Sequence, residues 1–122
     1  RPGQEVARPC YHELLGARGH ILLAIDETVA AGFAAGAIIA DKNAVQIDTR
    51  QTHGHISDVY VIPAYRRRGV AQRLLTAMAD RLRGEGAGRL TISALSTNQA
   101  ALAAYRQFGF QPFQIRMEMH LG

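Results

Sequence analysis

The chain has 122 residues, 48% hydrophobic and 20% charged, a composition typical of soluble folded domains that argues against disorder. Its single cysteine, Cys10, excludes an internal disulfide and fits a reducing cytoplasm, and the longest apolar run, Val29–Ala40, is too short for a membrane-spanning helix. The net charge of +4 is carried almost wholly by arginine, since Lys42 is the only lysine; this favours anionic partners, whether nucleic acid or phosphorylated small molecules. Such arginine- and alanine-rich usage is the kind GC-rich bacterial genomes encode. No charged-then-apolar leader opens the chain, which starts at Arg1 and so leaves a removed leader open.

Residues 1–9, with two prolines and a glycine, read as an irregular lead-in, and residues 11–17 as a short weak helix stopped by Gly16 and Gly19. His20–Asp26 (HILLAID) and Val29–Ala40 read as strands, followed by a turn at 41–43, a strand edge at 44–48 and a polar loop at 49–54. Residues 55–62 (HISDVYVI) alternate and are β-branched, and Pro63 ends them. Over residues 69–83, Val70, Leu74, Leu75, Met78, Ala79 and Leu82 recur at helical spacing. Residues 89–95 predict a strand. Ser96-Thr97-Asn98 then caps a helix through Gln107 that Gly109 ends, and residues 113–121 predict a closing strand. The order implies an α/β domain on a mixed sheet.

The stretch RRRGVA (66–71) joins a strand to a helix. A helix N-terminus presents unpaired N–H groups and the positive end of its dipole. Gly69 permits a tight turn and close approach of a phosphate, Ala71 keeps the next turn small, and the arginines add charge. A plainly solvated arginine run is the alternative. Neither a Walker sequence nor G-x-G-x-x-G is present, and basic residues at groove spacing with stacking aromatics, which nucleic-acid binding needs, are lacking.

Arg66-x-x-Gly69-x-Ala71 resembles the Q/R-x-x-G-x-G/A motif of the GNAT superfamily of N-acetyltransferases. NQAALAAYRQFGF (98–110), with Asn98, Ala101, Tyr105 and Gly109-Phe110, resembles that family's N-x-x-A-x-x-x-Y-x-x-x-G-F segment. The resemblance runs from about residue 20 to the end. It implies a GNAT-type mixed, splayed sheet with flanking helices in a single domain, 1–122, with 20–122 as core. Residues 1–19 would be a remnant of the N-terminal part, whose strand and helix are missing or shortened. It further implies acetyl-coenzyme A as co-substrate, lying between strands 55–62 and 89–95. The backbone of Val59, Tyr60 and Val61 would pair with the pantetheine, and Arg66, Arg67, Arg68, Gly69, Val70, Ala71 and Gln72 would hold the pyrophosphate, with Asn98 and Tyr105 beside the coenzyme. The acceptor would be a primary amine of a small molecule or peptide. A non-catalytic acyl-coenzyme A-binding module is the alternative, and an uncovered sheet edge offers a surface for a homodimer.

Within that resemblance Tyr105 matches the tyrosine that protonates the leaving thiolate; without it, Tyr105 reads as a core residue one turn from Phe108. His55, eleven residues before Arg66, stands where relatives carry a Glu or His base, with His53 and then Asp58 as alternatives. Period-2 alternation predicts His55, Ser57, Val59 and Val61 on one face and Ile56, Asp58 and Tyr60 on the other. His53-x-His55 has no convincing third metal ligand, so no metal is expected.

Overall fold

The computed structural model describes residues 8–11, 19–40 and 52–122. Five strands, β1 (Arg8–Tyr11), β2 (His20–Asp26), β3 (Val29–Ala40), β4 (Thr52–Val61) and β5 (Leu90–Ile92), form one sheet in that order. The helices are α1 (Val70–Gly84), between β4 and β5, and α2 (Gln99–Phe108), after β5. Pairing is antiparallel from β1 to β4 and parallel between β4 and β5.

One helix stripe organises the core. Val70, Leu74, Leu75, Met78, Ala79 and Leu82 are all buried, and most of them pack on Leu22, Ala24 and Ala34, with Ile56 and Val61 of β4. Each large side chain so buried contributes roughly 1.5–3 kcal/mol. The end of α1 is closed by backbone: Gly86 N–H donates to Arg83 O and Ala87 N–H to Leu82 O, with Gly86 at φ 103°. Its last turn is also tied to β2, where buried His20 donates from Nε2 to Glu85 Oε2 at 2.7 Å and accepts at Nδ1 from Arg81 at 3.3 Å.

Several boundaries differ from expectation. The first strand, expected to be missing or shortened, is present as four-residue β1, and it claims Arg8, Pro9 and Tyr11 from the predicted lead-in and helix. Pro9 lacks an amide donor but is tolerated in an edge strand. The remaining helical expectation at 12–17, and those at 41–48, fall outside the described residues. β4 starts at Thr52, because Thr52, His53 and Gly54 pair with Ala40, Ile39 and Ile38. The strand expected at 89–95 is only Leu90–Ile92, since pairing with β4 stops there. No strand forms at 113–121: residues 111–122 are exposed throughout, and among the described residues no strand pairs with them.

The face assignment on β4 also changes. The β3–β4 register slips between Ala35 and Gly36, which pair with Asp58 and Ile56 and leave Ser57 bulged out. A bulge shifts the alternation by one residue. Ile56 therefore faces α1 together with Val59 and Val61, while His55, Asp58 and Tyr60 share the opposite face.

Gly32 of β3 lies against the backbone of β4. A Cβ there would lie 2.5 Å from the carbonyl oxygen of Tyr60 and 3.3 Å from Leu74 Cδ1. Gly32→Ala is expected to lower stability by about 1–3 kcal/mol, seen as a reduced urea midpoint; an unchanged midpoint would contradict this packing.

Candidate active site

The loop between β4 and α1 is short and constrained. Pro63–Tyr65 forms a single 3-10 turn, Arg67 adopts φ 66°, and Gly69 at φ 80° is the N-cap of α1. Arg73 N–H makes the first helical bond, to Gly69 O at 3.1 Å, so the amides of Val70, Ala71 and Gln72 ahead of it have no intrahelical acceptor. A Cβ built on Gly69 would meet nothing within 4 Å, so the space in front of this turn is open. Successive free amides at a helix N-terminus form an anion-binding concavity.

The three arginines do different things. Arg66 turns back, donating from Nε to Val61 O at 2.8 Å with its guanidinium 5.5 Å from the centre of the Tyr60 ring. Its side chain thus braces the turn against the end of β4. Arg68 lies 4.8 Å over the ring of Tyr65, whose hydroxyl donates to Asp26 Oδ2 at 2.7 Å. That hydrogen bond is the main reason the Tyr65 phenol titrates above its ordinary value. Arg67 is exposed.

β4 and β5 are paired only at Gly54–Leu90, His55–Thr91 and Ile56–Ile92. Beyond Ile56 the two strands part, and among the described residues no strand joins the β5-facing edge of Ser57 to Val61. The backbone of Val59, Tyr60 and Val61 therefore lines the opening of a V that ends at the turn ahead of α1. Val59 is half-buried and Tyr60 exposed.

α2 forms the second flank. Asn98 caps it, its Oδ1 accepting from Ala101 N–H at 3.1 Å, and Gln72 of α1 donates from Nε2 to Ala104 O at 3.2 Å. Both side chains are thereby committed to structure. Tyr105 is half-buried, edge-on to Phe110 at 6.1 Å. Burial chiefly, and the charge of Asp58 in addition, raise its pKa above the usual tyrosine value. Asp58 is thus within electrostatic reach of Tyr105, on the part of β4 that has left β5. His55 lies where the strands are still paired, its Nδ1 2.7 Å from Thr91 Oγ1. Among the described residues no group of three or more His, Cys, Asp or Glu side chains could hold a metal ion.

The sequence matches the family described as "Acetyltransferase (GNAT) family" over residues 2–110. The chain belongs to the GNAT family of acetyltransferases. The match starts well before residue 20, where the resemblance in the motifs alone begins, consistent with β1 being part of the fold. Streptothricin acetyltransferase of Streptomyces lavendulae is 38% identical over 55 residues, 45% of this chain and 29% of that protein. Glucosamine 6-phosphate N-acetyltransferase 1 of Oryza sativa subsp. japonica is 28% identical over 119 residues, 96% of this chain and 69% of that protein. The chain spans about a third of the length of several of the curated relatives it matches, among them N-alpha-acetyltransferase RimI of Mycobacterium tuberculosis (strain ATCC 25618 / H37Rv), with 37% of its length covered. In fold it is similar to aminoglycoside N-acetyltransferase AAC(6')-Iy in complex with CoA, with a TM-score of 0.75 at 20% identity, over 89% of this chain and 80% of that one.

Asp26, Tyr65 and Thr91 were not singled out from the sequence. Tyr65 and Asp26 stand 39 residues apart, and no local pattern signals such a pair. For a GNAT chain with this flank, Asp58→Asn should lower the Tyr105 pKa, because a carboxylate disfavours the phenolate, while leaving it above the ordinary value through burial. NMR titration of the tyrosine rings reads this directly; an unmoved Tyr105 would separate the two groups.

Proposed function

We propose that this chain transfers the acetyl group of acetyl-coenzyme A to a primary amine of a small molecule or a peptide, by direct attack within a ternary complex. The observation that carries the reading is the parting of β4 from β5 immediately ahead of a helix N-terminus with free amides. That arrangement suits a ligand with a hydrogen-bonding arm and a pyrophosphate. Residues 1–122 act as one acetyltransferase domain in this reading. The lone cysteine and arginine-rich composition fit a bacterial cytoplasm, and nucleic acid has no part.

Acetyl-coenzyme A supplies an acetyl group activated as a thioester. The pyrophosphate would be held by the amides from Arg67 to Gln72 with charge from Arg67 and Arg68, while Arg66 acts by bracing the turn. The backbone of Val59, Tyr60 and Val61 along the edge that β5 leaves would pair with the pantetheine arm at the groups other than Val61 O, which Arg66 Nε already occupies. The Val61 N–H is suited to polarise the thioester carbonyl. Asn98 would hold the start of α2 beside the coenzyme. A lysine-like amine is only about 0.04% neutral at pH 7, a cost of about 4.6 kcal/mol that a nearby base reduces. Of the candidates, Asp58 is favoured as proton acceptor, because it stands on the parted section of β4 near Tyr105. His55, held by Thr91 on the same face, would order a water behind it. Tyr105 would protonate the leaving thiolate, and its raised pKa keeps that proton in place until it is needed.

The test is coenzyme binding together with thiol release over a panel of amines. Tyr105→Phe should lower kcat about a hundredfold with little change in coenzyme affinity. Asp58→Asn should reduce kcat more than His55→Gln; the reverse order would return the base role to His55. Gly69→Glu should abolish coenzyme binding by setting a negative side chain in the anion turn, and normal binding by that variant would remove the turn from the site. Wild-type binding without turnover of any amine would leave an acyl-coenzyme A-binding module in place of the enzyme.

A further inference from the structure

Two acidic residues stand close to the turn ahead of α1. Asp26 ends β2, and Glu27, at φ 59°, starts the connection to β3. This hairpin lies beside the loop after β4, because Ile62 N–H donates to Ala31 O at 2.9 Å. The two carboxylates raise the pKa of the Tyr65 phenol and the guanidinium of Arg68 lowers it, so all four side chains share one neighbourhood. An arginine beside two carboxylates has an ion pair within reach. Yet among the described residues Arg68 forms none. Its guanidinium lies instead 4.8 Å over the Tyr65 ring.

Tyr65 accounts for this separation of charges. It closes the 3-10 turn, its ring packs against the core, and its hydroxyl donates to Asp26 Oδ2 at 2.7 Å. The ring is thereby fixed at both ends. The hydroxyl occupies the Asp26 carboxylate, while the ring face offers the guanidinium a favourable seat. Arg68 immediately precedes the N-cap Gly69, so its unneutralised charge stands beside the amides of Val70, Ala71 and Gln72 and has the same sign as the helix N-terminus. Arg66, by contrast, is taken up by Val61 O.

We propose that Tyr65 is a positioning residue for acetyl transfer: by engaging Asp26 with its hydroxyl and carrying Arg68 on its ring, it keeps the Arg68 charge available to a diphosphate at the turn ahead of α1. The inference rests on the reading of that turn as the seat of the coenzyme's pyrophosphate. It gives ring and hydroxyl separate tasks, which substitution can separate.

Tyr65→Phe keeps the ring and its packing and removes only the hydroxyl. Asp26 is then free to draw Arg68 off the ring. Calorimetric titration should show coenzyme A and inorganic pyrophosphate each bound about fivefold more weakly, the scale of one exposed ion pair. KM for acetyl-coenzyme A should rise by the same factor, while kcat falls far less. Adding Asp26→Asn should restore affinity, because the competing charge is gone although the hydroxyl is still missing. A merely structural hydrogen bond predicts no such rescue, since the double variant has altered both of its ends. Arg68→Gln should weaken binding about fivefold in the wild-type chain and hardly at all in Tyr65→Phe. In the ligand-free protein, the ring-current shift of the Arg68 side-chain protons should shrink in Tyr65→Phe and return in the double variant. Wild-type affinity in Tyr65→Phe, a double variant no better than the single one, or an Arg68 shift that Tyr65→Phe leaves in place would each overturn the proposal. A wild-type chain that binds neither coenzyme A nor pyrophosphate would instead overturn the reading of the turn, and the Arg68 shift would still decide whether Tyr65 holds that side chain away from Asp26.

Discussion

Burial of Val70, Leu74, Leu75, Met78 and Leu82 against Leu22, Ala34, Ile56 and Val61 fixes α1 across the middle of the sheet, and the rest of the site follows from that contact. Val70 opens both the helix and its apolar stripe, so the first turn cannot move away from the end of β4 without uncovering core. The free amides of Val70, Ala71 and Gln72 are therefore held beside the unpaired edge of Val59 to Val61. α2 is then located by the Gln72–Ala104 hydrogen bond and by Phe108 and Phe110 packing on the same core, which brings Tyr105 to the other side of the opening.

Much of this arrangement is written in local sequence. The α1 stripe repeats at 3.6 residues, Asn98 is a capping residue with the N–H that donates to it three positions on, and Gly69 marks a positive φ that the turn requires. Such signals lie within a few residues of what they specify. The bulge at Ser57 does not: it comes from the β3–β4 register, and β4 alone reads as uninterrupted alternation. That one extra residue moves Asp58 onto the face of His55. Likewise β5 has the composition of a seven-residue strand, and it is cut to three because its neighbour diverges. The segment 113–121 shows the converse. Its alternation is a strand signal, and among the described residues no strand pairs with it.

The sheet is strong in its middle and thin at its margins. β3 and β4 are long and share the longest ladder, whereas β1 has four residues and β5 three. The parting of β4 and β5 thus occurs close to an edge, where loss of ladder hydrogen bonds costs the least cooperative packing. An opening for a ligand placed between β3 and β4 would instead cut through the core beneath Ile56 and Ala34. The fold locates its cleft where the sheet is easiest to open.

Arg67, an ordinary L-residue at φ 66°, carries a further consequence. The left-handed conformation costs on the order of 1–2 kcal/mol outside glycine, and the folded protein meets that cost before any ligand arrives. An anion reaching the turn therefore meets amides already aimed at it and spends little conformational entropy in ordering them. The exposed guanidinium groups of Arg67 and Arg68 act over a longer range, through a field that dissolved ions screen within about 8 Å at physiological ionic strength. In the proposed reading, capture and retention would be divided between two parts of the same run, the side chains governing how often an anion arrives and the backbone how long it stays.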